Sequence, residues 1–245
     1  MGGIPGIQRP HGHRQQHHHP YYPLDLPLPN YAPNAWPIPI ILGSFAGLIA
    51  LFIGSGLAMA RWKNPLLKRK GAEQFAIGWF LLCGFLHCFF EGYFVFYHDA
   101  IPSSQSLFAQ LWKEYSLSDS RYISADPFML CIETLTMLLW GPLSLLTAYL
   151  IATGANKGTR HVLQITVCIA HLYGVALYYG TCGFIERYGG ISYSRPEFLY
   201  YWVYYAGMNA PWGTVPVWLL WRSVKEVGRA FESVEYGAEG GKKDN

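Results

Sequence analysis

Residues 38–60, IPIILGSFAGLIALFIGSGLAMA, form a run of 23 positions without one charged side chain. At about 1.5 Å of rise per helical residue, that is long enough to cross the roughly 30 Å hydrocarbon core of a bilayer. Read outward from this stretch, the chain repeats the pattern four times. Apolar segments run from about Gln74 to Tyr97, from Pro127 to about Ala152, from about His161 to Gly183 and from about Phe198 to Trp221. Composition agrees: of 245 residues 51% are hydrophobic, 17% aromatic and 13% charged, about half the ~25% charge of a soluble chain. The pattern predicts an all-α membrane protein with five transmembrane helices. A formal net charge of +3, with no basic face interleaved with aromatics, argues against nucleic acid as a partner. The five cysteines fall inside apolar segments and form no CxxC pair, so neither a disulfide framework nor a metal site is expected.

The connections set the orientation. Residues 1–37 hold eight prolines and five histidines but no apolar run, which predicts a disordered lumenal tail in place of a signal peptide or packed element. His17, His18 and His19 offer only a chance metal contact there. Arg61, Lys63, Lys68, Arg69 and Lys70 fill the first loop; Lys157 and Arg160 flank the turn after the third span. With Arg222, Lys225, Arg229, Lys242 and Lys243 they place 12 of the 18 basic residues on one side, which the positive-inside rule assigns to the cytosol. The 29 residues 98–126 then form one long, polar, Ser-rich lumenal loop. The expected organisation is a tail (1–37), a five-helix domain (38–225) and a cytosolic tail (226–245) ending Lys242-Lys243-Asp244-Asn245. A dilysine at that distance from a cytosolic end reads as an endoplasmic-reticulum retrieval signal.

A charged group at the bilayer centre costs about 2.5–3.5 kcal/mol even on a mild scale, so each one implies a use. Well inside the spans lie His87, Glu91, Glu133 and His171. Counted from the lumenal ends, Glu91 and Glu133 lie about 9 Å deep, Thr136 and His87 about 14–15 Å, and Asn209, His171 and Trp212 roughly 17–21 Å. The set therefore forms one layer across four helices. His87 and Glu91 share a helix face at i, i+4; Glu133/Thr136 and Asn209/Trp212 do so at i, i+3. His171 by itself reads more simply as a polar residue bonded across helices, and Thr136 as a hydroxyl bonded back to its own helix. Pro211 and Pro216 remove helical hydrogen bonds beside the layer, and broken backbone at this depth is tolerated where it lines a cavity.

No nucleotide loop, HExxH pair or nucleophile elbow is present, so no cofactor is expected. Proton chemistry on an apolar substrate remains. Burial brings carboxyls and imidazoles toward neutrality, where acid and base catalysts work best, and an indole face stabilises a nearby cation. These are the parts needed to protonate an alkene and remove a neighbouring proton.

The segments carrying this layer are WFLLCGFLHCFFEGYFVFY (79–97), LWKEYSLSDSRYI (111–123), CIETLTMLLWGPLSL (131–145), LYGVALYY (172–179) and GMNAPW (207–212). In them the chain resembles the emopamil-binding protein family, the sterol Δ8–Δ7 isomerases. The resemblance implies a five-helix endoplasmic-reticulum enzyme of sterol biosynthesis, using no cofactor, that moves the double bond of a Δ8-sterol to Δ7 within an intramembrane ligand cavity. It implies catalytic roles for His87, Glu91 and Glu133, positioning by Thr136 and Asn209, a cation-facing Trp212, and pocket closure by Tyr115 and Tyr122. Cationic amines would bind as mimics of the intermediate. Pro211 and Val175 depart from the pattern, where animal members carry a non-proline and some members an acidic residue. Rival readings are a non-catalytic sterol or amine binder of the same fold, an enzyme of another lipid olefin, and a scaffold with a polar network. Apolar aromatic faces are compatible with a homodimer in the lipid.

Overall fold

Proline at the first turn of a helix sacrifices no hydrogen bond, and both Pro39 and Pro127 sit at such a position. In a computed structural model, which describes the backbone of residues 19–243 and side chains through residue 234, Pro39 opens α1 (Ile38–Lys63). That helix closes on Arg61 and Lys63, cations that suit its negative end. The following helices are α2 (Gly71–Ala100), α3 (Leu107–Tyr115), α4 (Pro127–Thr153) and α5 (Lys157–Gly189). A π-helical segment, Leu199–Gly207, leads into α6 (Met208–Lys243). Asp126 caps α4 by accepting from the Phe128 and Met129 amides at 2.9 and 3.2 Å. Gly154, at φ +69°, ends α4 in the left-handed conformation that glycine adopts without strain.

Four of these helices, α1, α2, α4 and α5, are long and apolar enough to cross a membrane. The fifth expected span, 198–221, is helical but stands outside that group. Its Tyr, Trp, Gly and Pro content makes it less apolar than the others. Neighbours in sequence pack as neighbours in space: α1 on α2, α2 on α4, α4 on α5 and α5 on α6. Ring contacts of Phe75 with Trp218 and of Trp79 with Trp212 close the circle from α2 to α6. Helix α1 stays outside it, with only Ile41 and Ala60 buried.

The 98–126 segment differs from the expected polar loop. It contains α3, and Ser116, Ser118, Asp119, Ser120 and Arg121 are buried. Polarity here marks satisfied groups, not exposure. Ser116 and Ser118 donate to the Trp112 and Tyr115 carbonyls, both at 2.6 Å. Asp119 neutralises Arg121 at 2.6 Å, and Arg121 also donates to Thr181 Oγ1 at 2.9 Å. The tail is likewise shorter than expected, because residues 19–37 form a strap across α3. Tyr21 donates to the Lys113 carbonyl at 3.0 Å, Lys113 Nζ to the Ala32 carbonyl at 2.9 Å and Asn34 to the Gln110 carbonyl at 2.9 Å. Tyr21 is 1% exposed, buried by aromatic packing that its prolines leave possible. His17 and His18 lie outside the described residues, as do the side chains of the dilysine. At the opposite, basic end, Glu73 of α2 pairs with Arg160 of α5 at 2.6 Å and Arg222 of α6 at 3.1 Å.

Candidate active site

The circle of helices is fastened at both ends and open in the middle. There a cavity of about 620 Å³ is lined by His87, Glu91, Tyr115, Tyr122, Glu133, Thr136, Asn209 and Trp212. Small-molecule pockets span roughly 300–1,000 Å³. All eight residues singled out from the sequence therefore face one space, drawn from α2, α3, the segment before α4, α4 itself and α6.

Three of them sit on two π-helical turns. Leu86–Glu91 of α2 and Thr136–Trp140 of α4 are both wound in this wider form, which occurs in α-helices mostly as single turns at functional sites. The first carries His87 and Glu91, whose Nδ1 and Oε2 lie 2.8 Å apart. Just ahead of the second stands Glu133, 7% exposed, which accepts from the Tyr122 hydroxyl at 2.8 Å. The Glu133 carboxyl neighbours that of Glu91. Helix α4 comes this near because residue 141 is glycine: a Cβ there would stand 2.5 Å from Cys88 Sγ, 3.2 Å from the His87 Cβ and 3.3 Å from the Cys88 backbone nitrogen.

The remaining residues are brought together less tightly. Asn209 donates to the Tyr115 hydroxyl at 3.1 Å and to the Tyr205 carbonyl at 2.8 Å, so its direct partners are not the acids. Thr136 donates to the Ile132 carbonyl of its own helix at 2.9 Å. Trp212 packs its ring 5.3 Å from that of Trp79, and its indole nitrogen is buried with no partner among the described residues.

Several lining groups were not singled out by sequence reading. His171 of α5, set aside as a bonded polar residue, does bond across helices, its Nε2 3.1 Å from His87 Nε2, and it also lines the cavity. Tyr178 lines it with a buried, unpartnered hydroxyl. Trp112 lines the cavity from α3, stacked on Phe90 at 4.3 Å and donating to the Phe90 carbonyl at 3.0 Å. Beside it, burial pushes the Glu114 carboxyl up from its usual range and the Lys113 ammonium down to about 8. Cys83 Sγ, His87 and His171 nitrogens lie within 4.8 Å of one another. Either ring nitrogen of each histidine could ligate a soft metal ion in such a cluster; the two Nε2 atoms lie within hydrogen-bonding distance of each other.

Positions 107–223 match the family described as EBP: EXPERA (EXPanded EBP superfamily). The chain is 38% identical over 216 residues to a 3-beta-hydroxysteroid-Delta(8),Delta(7)-isomerase of Rattus norvegicus, covering 86% of this chain and 90% of that protein. It is 34% identical over 223 residues to a probable 3-beta-hydroxysteroid-Delta(8),Delta(7)-isomerase of Oryza sativa subsp. japonica, covering 88% and 95%. An isomeliandiol synthase of Melia azedarach is 38% identical over 180 residues, covering 73% and 77%.

Proposed function

Because this chain belongs to the EBP family, we propose that it is a sterol Δ8–Δ7 isomerase, moving a ring C=C bond of a 3β-hydroxysteroid from C8=C9 to C7=C8. The observation that carries the mechanism is the convergence of a His87–Glu91 pair and a Tyr122–Glu133 pair, from facing helices, on one cavity that also holds an indole.

The proposed reaction needs one proton delivered and one removed. A carboxylic acid among Glu91 and Glu133 gives its proton to C9, leaving a cation at C8. The proton at C7 then passes to a base of the same cluster, and its C–H electrons form the new double bond. No other atom is gained or lost, so the step calls on acid and base alone. Trp212 faces the cation with the negative face of its indole. Asn209 acts at one remove, holding Tyr115, and Tyr115 with Tyr122 closes the lumenal side. A sterol filling the cavity would displace the water that would otherwise capture the cation. A protonated amine with an apolar body resembles that intermediate and belongs to the same site.

The same reading makes 198–221 a fifth span, shielded by α5 and closing the chamber. It sets the basic ends of the helices in the cytosol and the lid of residues 98–126 in the endoplasmic-reticulum lumen. The test is turnover of zymosterol by purified protein, followed by mass spectrometry of the product. Positioned acids and bases contribute about 10²–10⁴ in rate. Glu133→Gln and His87→Ala should each lose that much while keeping the wild-type melting midpoint. Wild-type rates in both variants would remove the mechanism; accumulation of Δ8-sterol despite good expression in an isomerase-deficient yeast would mark a binder instead.

A further inference from the structure

We propose that His171 is a positioning residue: by donating a hydrogen bond to His87 it fixes the tautomer of that imidazole and holds Glu91 in its proton-accepting form. The proposal rests on the isomerase reading for its kinetic consequence, but its structural content stands on the hydrogen bonds alone.

Three groups from two helices form a single chain of contacts. Glu91 Oε1 and Oε2 lie 2.9 and 2.8 Å from His87 Nδ1, and His87 Nε2 lies 3.1 Å from His171 Nε2. His87 is 3% exposed and His171 5%, so water does not compete for the contact between the two imidazoles. A neutral imidazole has one N–H and one bare nitrogen, which leaves two ways to polarise the chain. In the first, His171 Nε2–H donates to His87 Nε2, and His87 Nδ1–H donates to the Glu91 carboxylate. In the second every arrow reverses: Glu91 is an acid donating to His87 Nδ1, His87 Nε2–H donates to His171 Nε2, and the last hydrogen sits on His171 Nδ1.

His171 Nδ1 decides between them, because it is buried with no partner among the described residues. A buried N–H without an acceptor is rare and costs its full desolvation, whereas an under-used acceptor is tolerated more easily. The aromatic neighbour on this side, Trp79, stands edge-on at 6.5 Å, and an indole nitrogen can only donate. The first polarity is therefore favoured. Its consequence reaches the reaction centre: Glu91 receives a hydrogen bond and is kept as the carboxylate that takes the C7 proton, leaving Glu133 to supply the proton for C9. Without the donor on α5, His87 is free to flip tautomer and turn Glu91 into a second acid.

The deciding comparison uses two substitutions at one position. His171→Leu fills similar space with no donor, whereas His171→Gln restores an N–H. At metal sites, loss of the outer partner that orients a ligating histidine costs about 10- to 100-fold, and orientation of His87 is taken on the same scale. His171→Leu should lower kcat on zymosterol by about that factor, with KM within about twofold and an unchanged melting midpoint. His171→Gln should recover most of the loss. Wild-type kcat in His171→Leu would overturn the proposal, and so would an equal loss in both variants, since a packing role is indifferent to the N–H. An activity-free readout separates this outcome from failure of the isomerase reading. Nitrogen-15 NMR of histidine-labelled protein in bilayers should find His87 as the Nδ1–H tautomer in the wild type and mixed tautomers in His171→Leu. A His87 tautomer unaffected by the leucine overturns the proposal even if the wild type proves to be no isomerase.

Discussion

Trp212 offers a direct measure of how much one side chain contributes to the chemistry. Its ring lies against Trp79 and its N–H has no partner among the described residues, so its π-face is the group it can bring to a substrate. A desolvated cation over an indole gains about 2 kcal/mol, which at 1.36 kcal/mol per decade is roughly 30-fold in rate. Trp212→Leu should therefore lower kcat/KM on zymosterol by about 30-fold, and Trp212→Phe by less. An amine inhibitor, which carries the same positive charge, should weaken in parallel. A variant that loses rate but binds amines as before would place the cation elsewhere. At this scale the sequence was readable where physics makes residues costly: His87, Glu91 and Glu133 stand out because ionisable groups in hydrocarbon are expensive. Tyr178 and Trp79 were not, since a chain with 18 tyrosines and 9 tryptophans gives no reason to choose one of them. His171 carried the same signal as His87, but its role depends on a partner on another helix that no spacing rule reveals.

Helices here are positioned by what is missing from them. Glycine at 141 lets α4 lie against the π-turn of α2, where a methyl group would meet the His87 Cβ and the Cys88 backbone together. The nearest atom, Cys88 Sγ at 2.5 Å, can turn away, but the other two are fixed to the α2 backbone, so Gly141→Ala should shift α2 against α4 by a few tenths of an ångström at the level of the acid–base pair. Small misplacements in a site cost about 10²-fold. Gly141→Ala should reduce kcat to that degree with modest loss of stability, whereas Gly180→Ala, which meets nothing within 4 Å, should match the wild type. Equal rates in the two variants would mean that the approach of the helices is not what aligns His87. Apolar runs announced these elements because length and hydrophobicity suffice to define a span. The π-turns did not announce themselves: i, i+4 spacing anticipated the His87–Glu91 contact but not the wider winding that presents it. The 98–126 segment misled for a different reason, since polar residues satisfied by their own backbone look like exposed ones in a string of letters.

Over the whole molecule, stabilising and reacting groups occupy different levels. Glu73 gathers Arg160 and Arg222 at the basic end, Asp119 and Arg121 anchor the lid at the other, and the cavity lies between. The lid pair is buried at both partners, with Asp119 0% and Arg121 1% exposed, and the guanidinium also lies 5.2 and 5.6 Å from the Tyr178 and Tyr193 rings. Removing one partner of such a pair leaves an uncompensated charge and typically costs 3–5 kcal/mol, although an apolar replacement of both is often near neutral. Arg121→Met should therefore lower the melting midpoint by about 10 °C and raise KM for zymosterol, because Tyr115 and Tyr122 ride on the same lid. Asp119→Leu combined with Arg121→Met should regain much of the lost stability. Glu73→Gln, acting from the far end, should soften the bundle without altering kcat. If Arg121→Met melted earlier yet kept its KM, the lid would be a stabilising cover with no part in holding the substrate, and the polar chamber would have to retain its ligand from the helices alone.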